Sequence, residues 1–217
     1  MTNNYLKMYD YMKDLGIPQT ADDALKSDLF FDVQLIRRGK DNPNMPAANY
    51  TFKTYYIDSL NHFERYWDEI QTCCKLFGLR AYISVNAKSK KEARNKTCER
   101  IAHNIVINES RKPWKDFSSV CGSLEGVEKR WIVDVDDIEN TDMMDYTSSI
   151  CKIIRSCENA YGDPIITIIP TRSGFHIITH PFNMQKYKTL CAEQGIEAPD
   201  IKKNHITLLF EDLDKWY

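Results

Sequence analysis

Hydrophobic positions along the chain fall into alternating helical and strand-like rhythms. Tyr5, Leu6, Met8, Tyr9, Met12 and Leu15 recur at helical spacing over residues 3–15, and Gly16 and Pro18 end that segment. "LFFDVQLIRRG" (29–39) reads as a strand, "KDNPNMPAANY" (40–50) as a loop rich in Asn and Pro, and "YTFKTYYI" (50–57) as the returning strand. A helix follows over 59–78, with Leu60, Phe63, Trp67, Ile70 and Leu76 on or near one face and Gly78 closing it. "LRAYISVN" (79–86) is a short β-rich run, residues 88–106 are helical, and "SSVCGSLEGVEK" (118–129) is a loop. "RWIVDVDD" (130–137) has the strongest strand character. Then come a helix (143–162), a strand (163–171), a strand (174–182), a helix (183–195) and a last strand within 204–213.

Strands and helices alternate, which places the chain in the α/β or α+β class. There is no internal repeat and no low-complexity linker, so 1–217 is read as one domain. Within it, an N-terminal αβ part runs to about residue 125 and the rest forms a second part. At 217 residues a substantial core can be buried, and 42% hydrophobic with 28% charged residues is ordinary for a soluble protein. The net charge of -2 excludes a globally basic coat for nucleic acid but leaves room for a local basic groove. Seven cysteines without regular spacing or a CxxC pair argue against both a disulfide framework and a structural zinc site. The N-terminus lacks the apolar core of a signal peptide, and no apolar run approaches the ~18 residues that span a bilayer. These features point to a reduced, cytoplasmic protein.

Two stretches carry candidate chemistry. In "WIVDVDD", Asp134 and Asp136 lie two apart on a strand and so share a face. Two carboxylates ~7 Å apart on a largely buried strand repel each other and are costly to desolvate, a cost that bound divalent cations remove. Mg²⁺ takes a few carboxylates plus substrate phosphate oxygens, and two such ions can clamp the attacking and leaving oxygens of a phosphoryl transfer. The pair also fits an acidic, solvated strand end, or the DxD of a metal-dependent glycosyltransferase or nuclease. The second stretch is "TRSGFHII" (171–178), set one helix and one strand later, where a βαβ crossover returns it beside the first. Gly174 permits close approach of backbone to a ligand, Ser173 offers a hydroxyl, Arg172 a guanidinium and His176 an imidazole. Taken alone, it also reads as a turn carrying a histidine.

Together these stretches resemble the first two motifs of the archaeo-eukaryotic primase superfamily, whose pattern is an acidic DxD or DxE pair followed by a Ser-Gly-x-His segment. They stand in the family's order, about 40 residues apart, within a likeness covering roughly residues 80–210. The resemblance implies an α+β two-layer fold: an RRM-like core sheet flanked by helices, with the additional N-terminal αβ portion packed against it. It implies a nucleotidyltransferase that adds nucleotides to a 3′-hydroxyl on a DNA template. Asp134 and Asp136 would bind two Mg²⁺ or Mn²⁺ ions. Asp200 in "EAPDIKKNHITLLF" would complete the acidic set, with Glu211 and Asp212 as alternatives. His176 and Ser173 would contact the triphosphate, and Arg172, with Lys202 or Lys203, would neutralise it. Arg80, in a strand resembling one that precedes the nucleotide-binding core, would be a further candidate phosphate contact. The partners implied are DNA template and primer, nucleoside triphosphates, and a separate helicase or accessory subunit.

Residues 87–100 carry six basic and two acidic residues, a second feature of interest. Lys88, Lys90, Lys91 and Arg94 on such a helix could track a phosphate backbone, or could simply form a solvated face. A catalytically inactive binding module on the same fold remains the alternative to an enzyme.

Overall fold

The computed structural model describes residues 1–41, 48–109, 111–136 and 142–212. Most of the Asn- and Pro-rich loop expected over 40–50 lies outside them, as do Asp137 and Leu213 at the ends of two expected strands. The described residues form a mixed α+β fold with antiparallel sheets and seven α-helices.

The first sheet collects six strands: β1 (Thr2–Asn3), β2 (Leu29–Arg37), β3 (Tyr50–Ile57), β4 (Arg80–Ser84), β5 (Lys88–Ser89) and β10 (Ile206–Glu211). Its order is β1-β10-β4-β2-β3, with β5 paired to the start of β2. The second sheet holds β6 (Trp131–Asp136), β7 (Ile165–Thr171), β8 (Gly174–Thr179) and β9 (Asp200–Lys203), in the order β7-β8-β6-β9. The helices are α1 (Tyr5–Asp14), α2 (Ala21–Ala24), α3 (Leu60–Phe77), α4 (Lys90–Val106), α5 (Pro113–Ser123), α6 (Met143–Arg155) and α7 (Met184–Glu193).

Local signals set several of these boundaries. Ser59 accepts a hydrogen bond from the His62 amide and starts α3; Gly78, at φ 61°, ends it in the left-handed region. Asp142 accepts from the Met144 and Asp145 amides and caps α6. Pro113 opens α5, where its missing N–H costs nothing.

Several sequence expectations change: the helices expected over 88–106 and 143–162 run over Lys90–Val106 and Met143–Arg155. Residues 118–123, expected in a loop, are helical, because Val120 and Cys121 on α5, with Leu124 just after it, pack against Phe30 and Ala93. Residues 200–203, expected to precede a strand, are themselves strand β9, paired with β6. Leu6 and Leu76, counted on apolar helix faces, are exposed, because the buried stripes run through Met8, Tyr11 and Met12 on α1, and through Leu60, Phe63, Ile70 and Cys74 on α3. The last strand also leaves the second part of the chain: β10 lies in the first sheet, between β1 and β4.

That return locks the two sheets together. One face of the second sheet, through Val133, Val135 and Ile177, packs with Ile150, Ile153, Ile154 and Tyr187 of α6 and α7. Its other face sends Ile132, Ile169 and Ile178 into the core shared with Phe31, Ile83, Leu209 and Phe210 of the first sheet. All three isoleucines are fully buried, each contributing roughly 1.5–3 kcal/mol. On the first sheet, α4 and α5 cover the region around Phe30 and Tyr56. Farther along that sheet, Ile36, Arg80, Tyr82, Ile206 and Leu208 line a cleft between the sheets. Among the described residues no helix is long and apolar enough to cross a membrane, and all seven cysteines are free thiols.

Candidate active site

The cleft has a volume of about 330 Å³ and is lined from both sheets. The second sheet contributes Asp134, Asp136, Thr171, Arg172, Ser173, His176 and Lys202; the first contributes Ile36, Arg38, Arg80, Tyr82, Ile206 and Leu208; Asn49 and His205 complete it.

Antiparallel register explains why residues distant in sequence meet. Asp134 stands opposite His176 on β8 and opposite Asp200 on β9, and directly paired residues share a sheet face. Asp136 stands opposite Gly174, and Lys202 opposite Ile132, two residues before Asp134. Asp134, Asp136, His176, Asp200 and Lys202 therefore occupy one face.

Asp134 is the centre of this array. Its side chain is 13% exposed. His176 Nε2 lies 3.0 Å from Oδ1, and the Lys202 ammonium contacts Oδ2. An ionised carboxylate only accepts, so the His176 Nε2 bears the proton that it donates to Asp134. His176 Nδ1 lies 2.9 Å from the Thr207 hydroxyl of β10, which fixes the ring from the first sheet. The hydrogen bond from His176, aided by that from Lys202 and by both charges, outweighs burial and holds the Asp134 carboxyl well below the usual carboxylate range. Asp136 and Asp200 are exposed, and neither makes a hydrogen bond or ion pair among the described residues.

A set of cationic groups lines the same cleft. Arg80 is buried and pairs with Asp41 at 2.8 Å and Glu211 at 3.3 Å. Arg172, in the turn after β7, reaches the same Asp41 at 3.5 Å. Arg38 donates to the Tyr82 hydroxyl at 3.2 Å. Arg38, Tyr82, Asp41 and Thr207 went unrecognised in the sequence. Two signals were available: the Arg37-Arg38 pair at a strand end, and the alternation that puts Tyr82 on the face of Arg80.

Several expected site residues take other roles. Gly174 has φ 146°, and a Cβ there would lie 1.9 Å from the Val135 carbonyl oxygen. The backbone it approaches is that of its own neighbouring strand, so the glycine serves strand pairing rather than a ligand. Lys203 alternates to the opposite face and lies over the Trp131 ring at 4.9 Å, outside the cleft. Glu211 is buried against Arg80 and also accepts from the Thr2 hydroxyl, so it is committed as that arginine's counter-ion. Asp212 is buried as well, and Asp200 stands opposite Asp134 but is not among the residues that line the cleft. Lys88 belongs to β5, is buried, and donates to Asp32 and to the Cys121 carbonyl, so it faces no nucleic acid. Lys90 is half-buried, bonded to the Ala24 carbonyl and paired with Asp58. Lys91 and Arg94 are exposed, but Lys88, just before α4, pairs with Phe30 at the start of β2, about 20 Å along that strand from Ile36 in the cleft.

Carboxylates on adjacent strands are hard oxygen donors, the type that Mg²⁺ and Mn²⁺ take. Among the described residues no three His, Cys, Asp or Glu side chains are gathered closely enough to hold an ion. Asp134 has both oxygens engaged, one of them by the ammonium of Lys202. Among the described residues the carboxylates lining the cleft are Asp134 and Asp136, and a divalent ion takes such oxygens together with substrate phosphate oxygens.

No family model matches this chain. No curated protein and no solved structure matches it either.

Proposed function

We propose that the chain is a metal-dependent nucleotidyltransferase of the primase-polymerase type. The observation that carries this reading is the convergence, in one cleft, of a carboxylate face and a cationic face from separate parts of the sequence. Asp134 and Asp136 stand on one side, and Arg80, Arg172 and Lys202 reach the same space. The second sheet also supports it: its β-α-β-β-α-β order, with β8 and β9 flanking β6, agrees with the RRM-like sheet this reading expects.

The reaction is attack of a primer 3′-hydroxyl on the α-phosphorus of a nucleoside triphosphate, releasing pyrophosphate. Asp134 and Asp136 would hold Mg²⁺ or Mn²⁺ together with substrate phosphate oxygens, and the ion would neutralise those oxygens and lower the pKa of the attacking hydroxyl. The chain's own task is positioning and charge. Arg80 and Arg172 both reach Asp41, which marks where an anion lies between two guanidiniums. A polyphosphate offers them the same bidentate acceptors with more charge. His176, tied to Thr207, holds Asp134 in place, and Ser173 in the adjoining turn offers a hydroxyl to phosphate. No covalent intermediate is required of the protein.

Primer extension and de novo synthesis on single-stranded DNA, with Mg²⁺ or Mn²⁺ and nucleoside triphosphates, test this. Wild type incorporates nucleotide, and Asp134→Ala and His176→Ala lose most of that activity. A wild type that incorporates nothing, or variants that work normally, refutes the assignment. The two groups that neutralise Asp134 favour one second reading, an inactive nucleotide- or nucleic-acid-binding module. Metal-independent triphosphate binding without incorporation would identify it.

A further inference from the structure

Lys202 makes a contact on Asp134 that a metal ion bound there has to break. Its ammonium sits on Asp134 Oδ2, the carboxylate oxygen not taken by His176. Asp136 and Asp200, on the same face, carry no ion pair among the described residues. The only cation on this acidic face, among the described residues, other than the imidazole, is therefore a side chain that also lines the cleft with Arg80 and Arg172. Lys202 lies on β9, its side chain is 36% exposed, and four methylenes separate its charge from the backbone. Its ammonium is held by the ion pair with Asp134, at the end of a stem that can rotate while β9 stays paired with β6.

We infer that Lys202 is a cation placeholder: it takes the metal position on Asp134 when no metal is bound and passes to the polyphosphate when metal and nucleotide arrive. This rests on the nucleotidyltransferase reading and goes beyond it, because it assigns Lys202 two successive partners. A free divalent ion must displace an ammonium from Asp134. A metal–nucleotide complex brings its own anionic oxygens, to which the released ammonium transfers. Metal binding is thereby coupled to nucleotide binding, and the acidic face holds no ion tightly without substrate. Lys202 is a positioning residue before metal and nucleotide bind and a phosphate contact afterwards.

The test is a titration of the whole protein with Mn²⁺ alone, reading free Mn²⁺ by electron paramagnetic resonance, repeated with a non-hydrolysable nucleoside triphosphate. Wild type, Lys202→Met, Lys202→Arg and the double variant Lys202→Met/Asp134→Asn are compared. With Mn²⁺ alone, Lys202→Met binds about five- to tenfold more tightly than wild type, the worth of one partly exposed ion pair. Lys202→Arg keeps the weak affinity of wild type, and the double variant loses the gain. The nucleotide tightens Mn²⁺ binding to wild type more than to Lys202→Met. Equal or weaker Mn²⁺ binding by Lys202→Met, with binding still dependent on Asp134, overturns the placeholder and leaves the nucleotidyltransferase reading standing. Absence of Mn²⁺ binding by wild type and Lys202→Met, with and without nucleotide, overturns both.

Discussion

Replacing Gly174 by alanine probes the joint on which the site depends. Gly174 begins β8 opposite Asp136, and two residues on, His176 meets Asp134. At φ 146° its backbone lies where only glycine is at ease, a strain of about 1–3 kcal/mol for any other residue. The added methyl would also stand 1.9 Å from the Val135 carbonyl oxygen, 3.0 Å from its carbon and 3.1 Å from the Asp136 Cα. Those are backbone atoms in a ladder, so the strands must part, at a further cost of about 1–3 kcal/mol. The total is roughly 2–6 kcal/mol, which for a chain of this size lowers Tm by about 4–24 °C. Thermal unfolding followed by circular dichroism measures it, with Ser173→Ala in the adjoining turn as a control expected to stay within about 1 °C of wild type. A fall of less than about 3 °C for Gly174→Ala would show that β6 and β8 do not approach each other this closely.

Two further changes test other parts of the structure. Lys88→Met leaves the Asp32 carboxylate buried without its cation and should cost about 3–5 kcal/mol, whereas Lys91→Met on the exposed surface should cost almost nothing; equal midpoints in denaturant for the two variants would place Lys88 at the surface after all. Asp134 has a folded-state pKa depressed chiefly by His176, so its ionised form contributes stability that is present above the unfolded carboxylate value near about 4 and lost as pH falls below it. The stability gap between wild type and Asp134→Asn should therefore be largest at neutral pH and shrink below about pH 4 in denaturant titrations; a gap that grows on acidification would contradict the pairing.

Most of the elements were legible because each carries its own local code. The caps at Ser59 and Gly78, the helical stripe of α3 and the alternation of β6 depend on neighbours within a turn or a strand. Helix α5 and strand β9 were missed for the same reason in reverse. Pro113–Ser123 buries only Asp116, Val120 and Cys121, and Asp200–Lys203 is a four-residue edge strand with two lysines, so pairing and packing decide them rather than pattern. The lysines of residues 87–100 show the same limit, since a basic run does not say which member turns inward: Lys88 did, to meet Asp32.

The sequence by itself determined that Asp134 and Asp136 share a strand face, that a Ser-Gly-x-His segment follows one helix and one strand later, and that the class is α/β or α+β, because these follow from strand period and element order. Tertiary structure alone decided what those residues touch. Thr207 reaches His176 because the last strand returns to the first sheet, Arg80 and Arg172 share Asp41 because two sheets meet at a cleft, and Gly174 serves Val135 rather than a ligand because β8 pairs closely with β6. Contacts between residues 31 to 131 positions apart are set by register and sheet packing, and no local pattern along the chain encodes them.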